Sequence, residues 1–185
     1  MQFAAGTYRI GPESGSLLVK TYREGMAARV GHDLVFEVTR WEAVLELAGD
    51  SASSTIELSA DPHSLRVRDA LRGLKPLTDS DRGEIAKNID SKVLQGRPIA
   101  FSSTTVRPAD DDDALAVEGE LTLAGTTRPV AMRLDIRGGG HVTGTIPLTQ
   151  STWGIKPYRG LMGALKVRDE LEIVFDSTLG GVGPG

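Results

Sequence analysis

Few side chains in this sequence are equipped for chemistry, and they are dispersed. There is no cysteine, which removes thiolate nucleophiles, thiolate metal ligands and disulfides together. The three histidines, His32, His63 and His141, stand far apart. No two have the i, i+4 spacing that turns a pair of imidazoles toward one metal, so neither a metal nor a cofactor is expected. His32 precedes Asp33, and a carboxylate can orient an imidazole as a general base, so this dipeptide could be half of a triad. It lacks a nucleophile: there is no G-x-S-x-G elbow and no serine stands out as activated. G-x-G-x-x-G, a P-loop and H-E-x-x-H are absent too. Arg66, Arg68 and Arg72 form a second concentration. Their planar forks match phosphate or carboxylate and make them head-group candidates, against the alternative of a solvated basic loop.

The elements that must position these residues read as strands. In the stretch 117–136, VEGELTLAGTTRPVAMRLDI, Val117, Leu121 and Leu123 fall on one side, as Leu115 does just before it, with Glu118, Glu120 and Thr122 on the other. After the connection 124–128, which ends at Pro129, the alternation resumes with Val130, Met132, Leu134 and Ile136 inward. Period two means half-buried strands, and the single glycine in a short link predicts an antiparallel hairpin with one apolar face. Similar patterns predict strands over 7–10, 16–22, 34–39, 40–47, 55–60, 98–106, 141–148 and 167–178. Ser103 and Thr105 fall on the face of Phe101 by the same alternation. Gly144 and Pro147 predict that 141–148 is kinked or lies at an edge. Residues 1–5 read as a loose terminus, 49–54 as a turn, 61–77 as irregular and basic, 110–113 as an acidic hairpin tip and 179–185 as a glycine-rich tail. One helix is expected after 78–81, with Ser80/Gly83 or Asp81/Glu84 at capping-box spacing and Ile85, Ile89 and Val93 forming one stripe. Gly96 and Pro98 stop it.

About nine or ten short strands and one helix imply an all-β antiparallel barrel or sandwich in a single domain over 1–185. Net charge is −4, from 25 acidic and 21 basic residues, and aromatics make up 5%. That excludes a general nucleic-acid binder, which needs a basic footprint and stacking platforms. No stretch approaches the apolar length of a transmembrane helix. The opening MQFAAGTYRIG has neither a basic nor an apolar leader region, so a cytoplasmic protein is expected. A barrel of about eight strands has room for one elongated ligand if side chains do not fill it. The inward residues are mostly mid-sized aliphatics, which tilts the reading toward a hollow interior.

Several segments together resemble the YceI-like, or polyisoprenoid-binding, family: the opening YRIGPESGS at 8–16, Gly31-His32-Asp33-Leu34 before a strand ending near Trp41, the 79–94 helix followed by PIAFSS at 98–103, the VEGELTLAGTTRPV hairpin at 117–130, and WGIKPY at 153–158 with VRDEL at 167–171. The helix entry Asp79-Ser80-Asp81-Arg82 lacks the His of the Arg-Asp-x-His-Leu element of many relatives. The resemblance implies a lipocalin-like antiparallel β-barrel whose long apolar pocket holds an isoprenoid, quinone, fatty-acyl or other amphipathic ligand, with no chemistry of its own. Leu34, Phe36, Phe101, Leu121, Leu123, Val130, Met132, Leu134, Ile173 and Phe175 are the pocket candidates, against the alternative that they are plain core. Trp153, Tyr158 and Met162 on a Gly-rich loop are rim candidates, against a loop anchored by one buried Trp. Two alternatives remain open. One is a lipid-acting enzyme on the same barrel, using His32–Asp33 or the 61–72 arginines. The other is a filled barrel whose edge at 141–148 pairs with a partner or a second copy as a homodimer.

Overall fold

The structure, a computed structural model, describes residues 5–48, 53–109 and 113–180. The expected terminus, the 49–54 turn, the acidic tip at 110–113 and the glycine tail lie wholly or partly outside these residues. The strands are β1 (Gly6–Ile10), β2 (Gly15–Glu24), β3 (Asp33–Val38), β4 (Trp41–Leu47), β5 (Thr55–Ala60), β6 (Leu65–Leu71), β7 (Ile99–Pro108), β8 (Ala114–Leu123), β9 (Thr126–Arg137), β10 (His141–Thr149), β11 (Arg159–Gly160) and β12 (Leu165–Thr178). The helix α1 spans Asp79–Asn88 and continues as a π-helical turn over Ile89–Leu94. The strands form one antiparallel sheet in the order β1-β4-β5-β7-β8-β9-β10-β12-β2-β3-β6, with β11 beside β12. The class is all-β with one helix. The path of eleven strands replaces the expected eight. No described helix is long and apolar enough to cross a membrane.

The extra strands arise at two corners. β3 passes into β4 through Thr39 and Arg40, and β5 passes into β6 through Asp61 and the 3-10 turn Pro62–Ser64. Each pair is one run of chain that changes direction, so β3 and β6 pair beside β2 while β4 and β5 pair beside β1 and β7. The corners are laced together. Asp61 N–H donates to Arg40 O at 3.0 Å, and Thr39 donates its N–H and its hydroxyl to Ser64 O at 3.1 and 2.9 Å. The Asp61 carboxylate accepts from His63 N–H at 2.8 Å and from Arg40 Nε at 2.8 Å. Those two bonds, the backbone one first, hold its pKa below the ordinary value. Ser64 has no exposed surface, and its hydroxyl donates to Asp61 O at 2.8 Å or to Arg40 O at 3.3 Å.

β6 corrects the expectation of an irregular segment over 61–77. Leu65-Arg66-Val67-Arg68 alternates, but a bulge shifts the register between Val35 and Phe36 of β3, so Asp69 and Val67 follow one another as partners. The bulge breaks the period-two signal. The other edge of β6 has no strand, and α1 lies along it. Arg82 Nη1 donates to Val67 O and Arg68 O at 3.0 and 3.1 Å, occupying edge carbonyls that would otherwise offer a template for another strand. The helix cap is Thr78, not Ser80 or Asp81: Thr78 Oγ1 accepts from Asp81 N–H while the Asp81 carboxylate accepts from Thr78 N–H. The side-chain bond from Thr78, then the backbone one, lowers the Asp81 pKa. Gln95 and Gly96 end the helix at φ 54° and 66°.

Three further expectations change. The 124–128 link is a two-residue turn, because Leu123 already pairs with Thr126, and Ala124 and Gly125 take φ 50° and 80°. That is the positive-φ pair whose twist suits a hairpin. A bulge between Ser103 and Thr105 flips β7, so Thr105 is exposed and Val106 buried, while Ser103 Oγ accepts from Ile56 N–H at 2.8 Å. β10 is not an open edge along its length: His141–Gly144 pair with β9 on one side and the whole strand pairs with β12 on the other. Pro147 lies beyond the last β9 pair, where its missing N–H breaks no ladder on that side.

Ser64→Ala is expected to destabilise the fold by about 0.5–1.5 kcal/mol, because it removes a buried hydroxyl hydrogen bond while the Asp61 and Arg40 carbonyls keep their backbone donors. A urea denaturation curve measures it. Thr78→Ala removes a cap and is expected to cost about 1 kcal/mol. Asp61 and Asp81 both have lowered folded pKa values, so their contributions are present above the ordinary value of 3.8 and are lost as pH falls through the lowered values. The corner and the helix start are therefore expected to loosen together below pH 3.8, seen as faster amide exchange at Thr39, Ser64 and Asp81.

Candidate ligand-binding cavity

The inward faces of the curled sheet enclose a cavity of about 1010 Å³. That is at the upper end of ordinary small-molecule sites, which run about 300–1,000 Å³. β8 and β9 contribute Leu121, Leu123, Val130, Met132 and Leu134, β3 contributes Leu34 and Phe36, β7 contributes Phe101, and β12 contributes Ile173 and Phe175. Every strand candidate therefore faces the space. The interior stays open because its residues are mid-sized. Phe101, one of the larger ones, lies against Gly119 of the neighbouring strand, where a Cβ would meet its ring at 2.5 Å and Ser102 O at 2.5 Å. Trp41 packs edge-on to Phe175 at 5.8 Å between ring centres. This contact joins β4 to β12, which are far apart along the sheet.

The helix forms part of the wall. Ile85, Ile89 and Val93 face the cavity, as their four-residue spacing predicts, with Asn88 and Lys92 beside them. Of the rim candidates, Trp153 is buried and donates Nε1–H to Leu121 O at 3.1 Å. It anchors its loop and also lines the cavity. Tyr158 lines the cavity although it is 60% exposed. Met162 does not line it; at φ 54° its side chain projects fully into solvent.

The three head-group candidates are not at the cavity. Leu65 faces it, so strand alternation turns Arg66 and Arg68 away. Arg66 Nη1 donates to His63 O and Leu65 O, Arg68 sits 3.7 Å from Asp69, and Arg72 sits 3.4 Å from Asp33. Other cations replace them. Arg23, Lys92, Arg97, Lys156 and Lys166 line the cavity, and no described lining residue is acidic. They come from the end of β2, the α1–β7 link, the β10–β11 link and the start of β12. Antiparallel alternation brings those termini to one end. Arg97 Nη1 donates to Ala124 O at 2.8 Å and Arg23 Nη1 to Gly31 O at 2.6 Å and to Arg72 O. The three lysines make no ion pair among the described residues. No local motif marked these five, since they are scattered over most of the chain. Their signal was a long-range one: basic residues in connections at the same end, with no acid among them.

The histidines are held separately. His32 lines the cavity, but its Nε2 lies 2.7 Å from Lys75 O. The buried Asp33 carboxylate is turned instead to Arg23 N–H at 2.9 Å and to Arg72. His32 and Asp33 therefore do not form the oriented pair of a triad. His63 meets Asp90 at 2.6 Å and His141 meets Asp176 at 2.8 Å.

A curled antiparallel sheet around a deep apolar space with basic residues at one end defines a half-barrel with an internal cavity. The YceI-like domain matches residues 8–179, and the chain belongs to that family. BcnA of Burkholderia cenocepacia is similar at 15% identity and a TM-score of 0.66, over 90% of this chain and 97% of that one. A Campylobacter jejuni YCEI protein is similar at 11% identity and a TM-score of 0.55, over 76% and 81%. A mutant of the Campylobacter protein solved with a monobromobimane guest is similar at 9% identity and 0.56, over 76% and 81%. These likenesses concern the fold. Comparison with curated proteins gave no match.

Gly119→Val is expected to push Phe101 and the β7 backbone aside and to cost about 1–3 kcal/mol by overpacking. The shift in thermal midpoint measures it, and Phe101→Ala in the same chain should recover part of the loss.

Proposed function

We propose that the protein binds and carries one long amphipathic molecule, of isoprenoid, quinone or fatty-acyl type, in the cavity, and performs no reaction on it. The supporting observation is the graded lining: aliphatic and phenyl side chains through the depth, basic groups at one end. Each CH₂ moved from water into such a space gains roughly 0.8 kcal/mol. A tail of about ten carbons would gain roughly 8 kcal/mol before ordering and association costs. The polar end of the ligand lies toward Arg23, Lys92, Arg97, Lys156 and Lys166 rather than toward Arg66, Arg68 and Arg72. Leu34, Phe36, Phe101, Leu121, Leu123, Val130, Met132, Leu134, Trp153, Tyr158, Ile173 and Phe175 are the proposed contacts. The size of the cavity favours this reading over a filled barrel, and the separate engagement of His32 and Asp33 speaks against the enzyme reading.

Mass spectrometry of the gently purified protein, intact and after solvent extraction, is expected to show one bound lipid or quinone per chain. A protein that is empty and also takes up no isoprenoid or acyl probe overturns the reading. Leu123→Arg and Met132→Glu each place a charge in the cavity. They are expected to abolish probe uptake, and to leave the fold standing because an open interior lets water reach the charge, whereas a filled one would unfold. Near-ultraviolet circular dichroism separates loss of binding from loss of fold.

A further inference from the structure

The exposed large hydrophobic residues among the described ones are Met26 (97%), Val30 (49%), Leu71 (50%), Leu74 (71%), Tyr158 (60%), Leu161 (60%) and Met162 (107%). Scattered apolar residues would need no explanation. These are not scattered. All seven belong to three segments: the β2–β3 link, the end of β6 with its exit, and the β10–β12 link. Those segments meet at the end of the sheet where the cavity opens, since Val30, Leu77 and Tyr158 also line it.

The charge on the same segments is one-sided. Residues 25–32, 71–78 and 150–166 hold Arg29, Arg72, Lys75, Lys156, Arg159 and Lys166 and no Asp or Glu. The chain as a whole carries 25 acids and 21 bases, so acids are depleted within these links, with Glu24, Asp33 and Asp79 at their borders and Asp33 meeting Arg72. Backbone geometry adds a third, independent observation. Leu161 and Met162 take φ 47° and 54°. Residues with a Cβ adopt that region at a cost, and branched or long apolar ones gain nothing from it locally. Here the cost holds two apolar side chains out in water. Strain of this kind persists where the surrounding chain over-determines it, and it clusters at binding and switch segments.

We propose that this end of the protein docks on an anionic lipid surface, with Met26, Leu74, Leu161 and Met162 entering the interface and the surrounding cations meeting head groups. Apolar tips supply the insertion and the basic rim supplies attraction to the surface potential, a combination that gives reversible, composition-dependent binding. It brings the cavity mouth against the lipid phase, so a tail could pass between the two without crossing water. That use rests on the carrier reading; the docking chemistry does not.

The test is flotation of the full chain with vesicles of phosphatidylcholine mixed with phosphatidylglycerol, against vesicles of phosphatidylcholine alone. Binding is expected to the mixed vesicles, to fall with added salt, and to be weak on the neutral ones. The double variant Met26→Glu/Leu74→Glu is expected to bind mixed vesicles at least about tenfold more weakly, since it removes insertion and repels the surface. Lys75→Glu/Arg159→Glu is expected to lose the preference for anionic lipid. None of these four side chains lines the cavity, so uptake of an acyl or isoprenoid probe delivered from organic solvent should be unchanged while transfer from vesicles slows. A wild-type chain that ignores mixed vesicles, or variants that float as well as it does, overturns the docking. Solvent-delivered uptake without flotation sinks the docking alone; flotation without any uptake sinks the carrier reading alone.

Discussion

Asp61, Ser64 and Arg40 meet at the junction on which the shape of the sheet depends. Without the two corners there, the chain from β3 to β6 would be a long straight hairpin, and the strands on either side would have no reason to curl. The corners let β3 and β6 continue one end of the sheet while β4 and β5 continue the other. Chain bending usually exposes backbone donors and acceptors, which must then find partners. Here they find one another: Arg40 O takes the Asp61 N–H, Ser64 O takes Thr39 N–H and hydroxyl, and the Ser64 hydroxyl, wholly out of water, closes the set. Two bends that would each be costly share one network.

The bend has a consequence for the interior. Trp41 begins β4 directly after the corner, and its ring reaches Phe175 on β12 across the core. On β1 and β4 the inward residues Tyr8, Ile10, Trp41, Ala43, Leu45 and Leu47 are all buried. On β8, β9 and β12 the inward side chains include partly buried ones such as Leu123, Val130, Met132 and Ile173. A fold can leave one region unfilled if another is packed to ordinary density and the wall is hydrogen-bonded throughout. Here α1 and Arg82 cover the β6 edge that the sheet leaves without a strand.

How much of this the sequence revealed follows the range of each signal. The 117–136 hairpin was legible because period-two alternation is local and uninterrupted. The helical stripe Ile85, Ile89, Val93 was legible for the same reason at a different period. β6 was not, because a bulge in its pairing with β3 breaks the alternation and its arginines resemble a solvated loop. Arg66, Arg68 and Arg72 drew attention because they are close in sequence. Arg66 and Arg68 project outward from β6, and Arg72 lies beyond the strand at φ 62° and meets Asp33. The five cations that do line the cavity lie as far apart as Arg23 and Lys166. Only the antiparallel order brings them together, and no window along the chain contains them. Met162 failed as a cavity contact for a backbone reason: its left-handed conformation aims the side chain outward, which composition does not report.

The division of labour between strands and connections explains why one end of the molecule carries both the charge and the exposed apolar residues. A ladder position must satisfy its partner strands and keep its face, so charge placed inward there would be buried without a counterion. A connection has no such constraint. Its side chains can be cationic, apolar or strained without disturbing the pairing that forms the wall. The cavity mouth is therefore assembled almost entirely from connection residues and strand ends, namely Val30, His32, Lys92, Arg97, Lys156, Tyr158 and Lys166. The apolar depth is assembled from strand interiors. What the cavity can hold is set by the ladder and is hard to change piecemeal. What it meets at its opening is set by links that can vary one residue at a time.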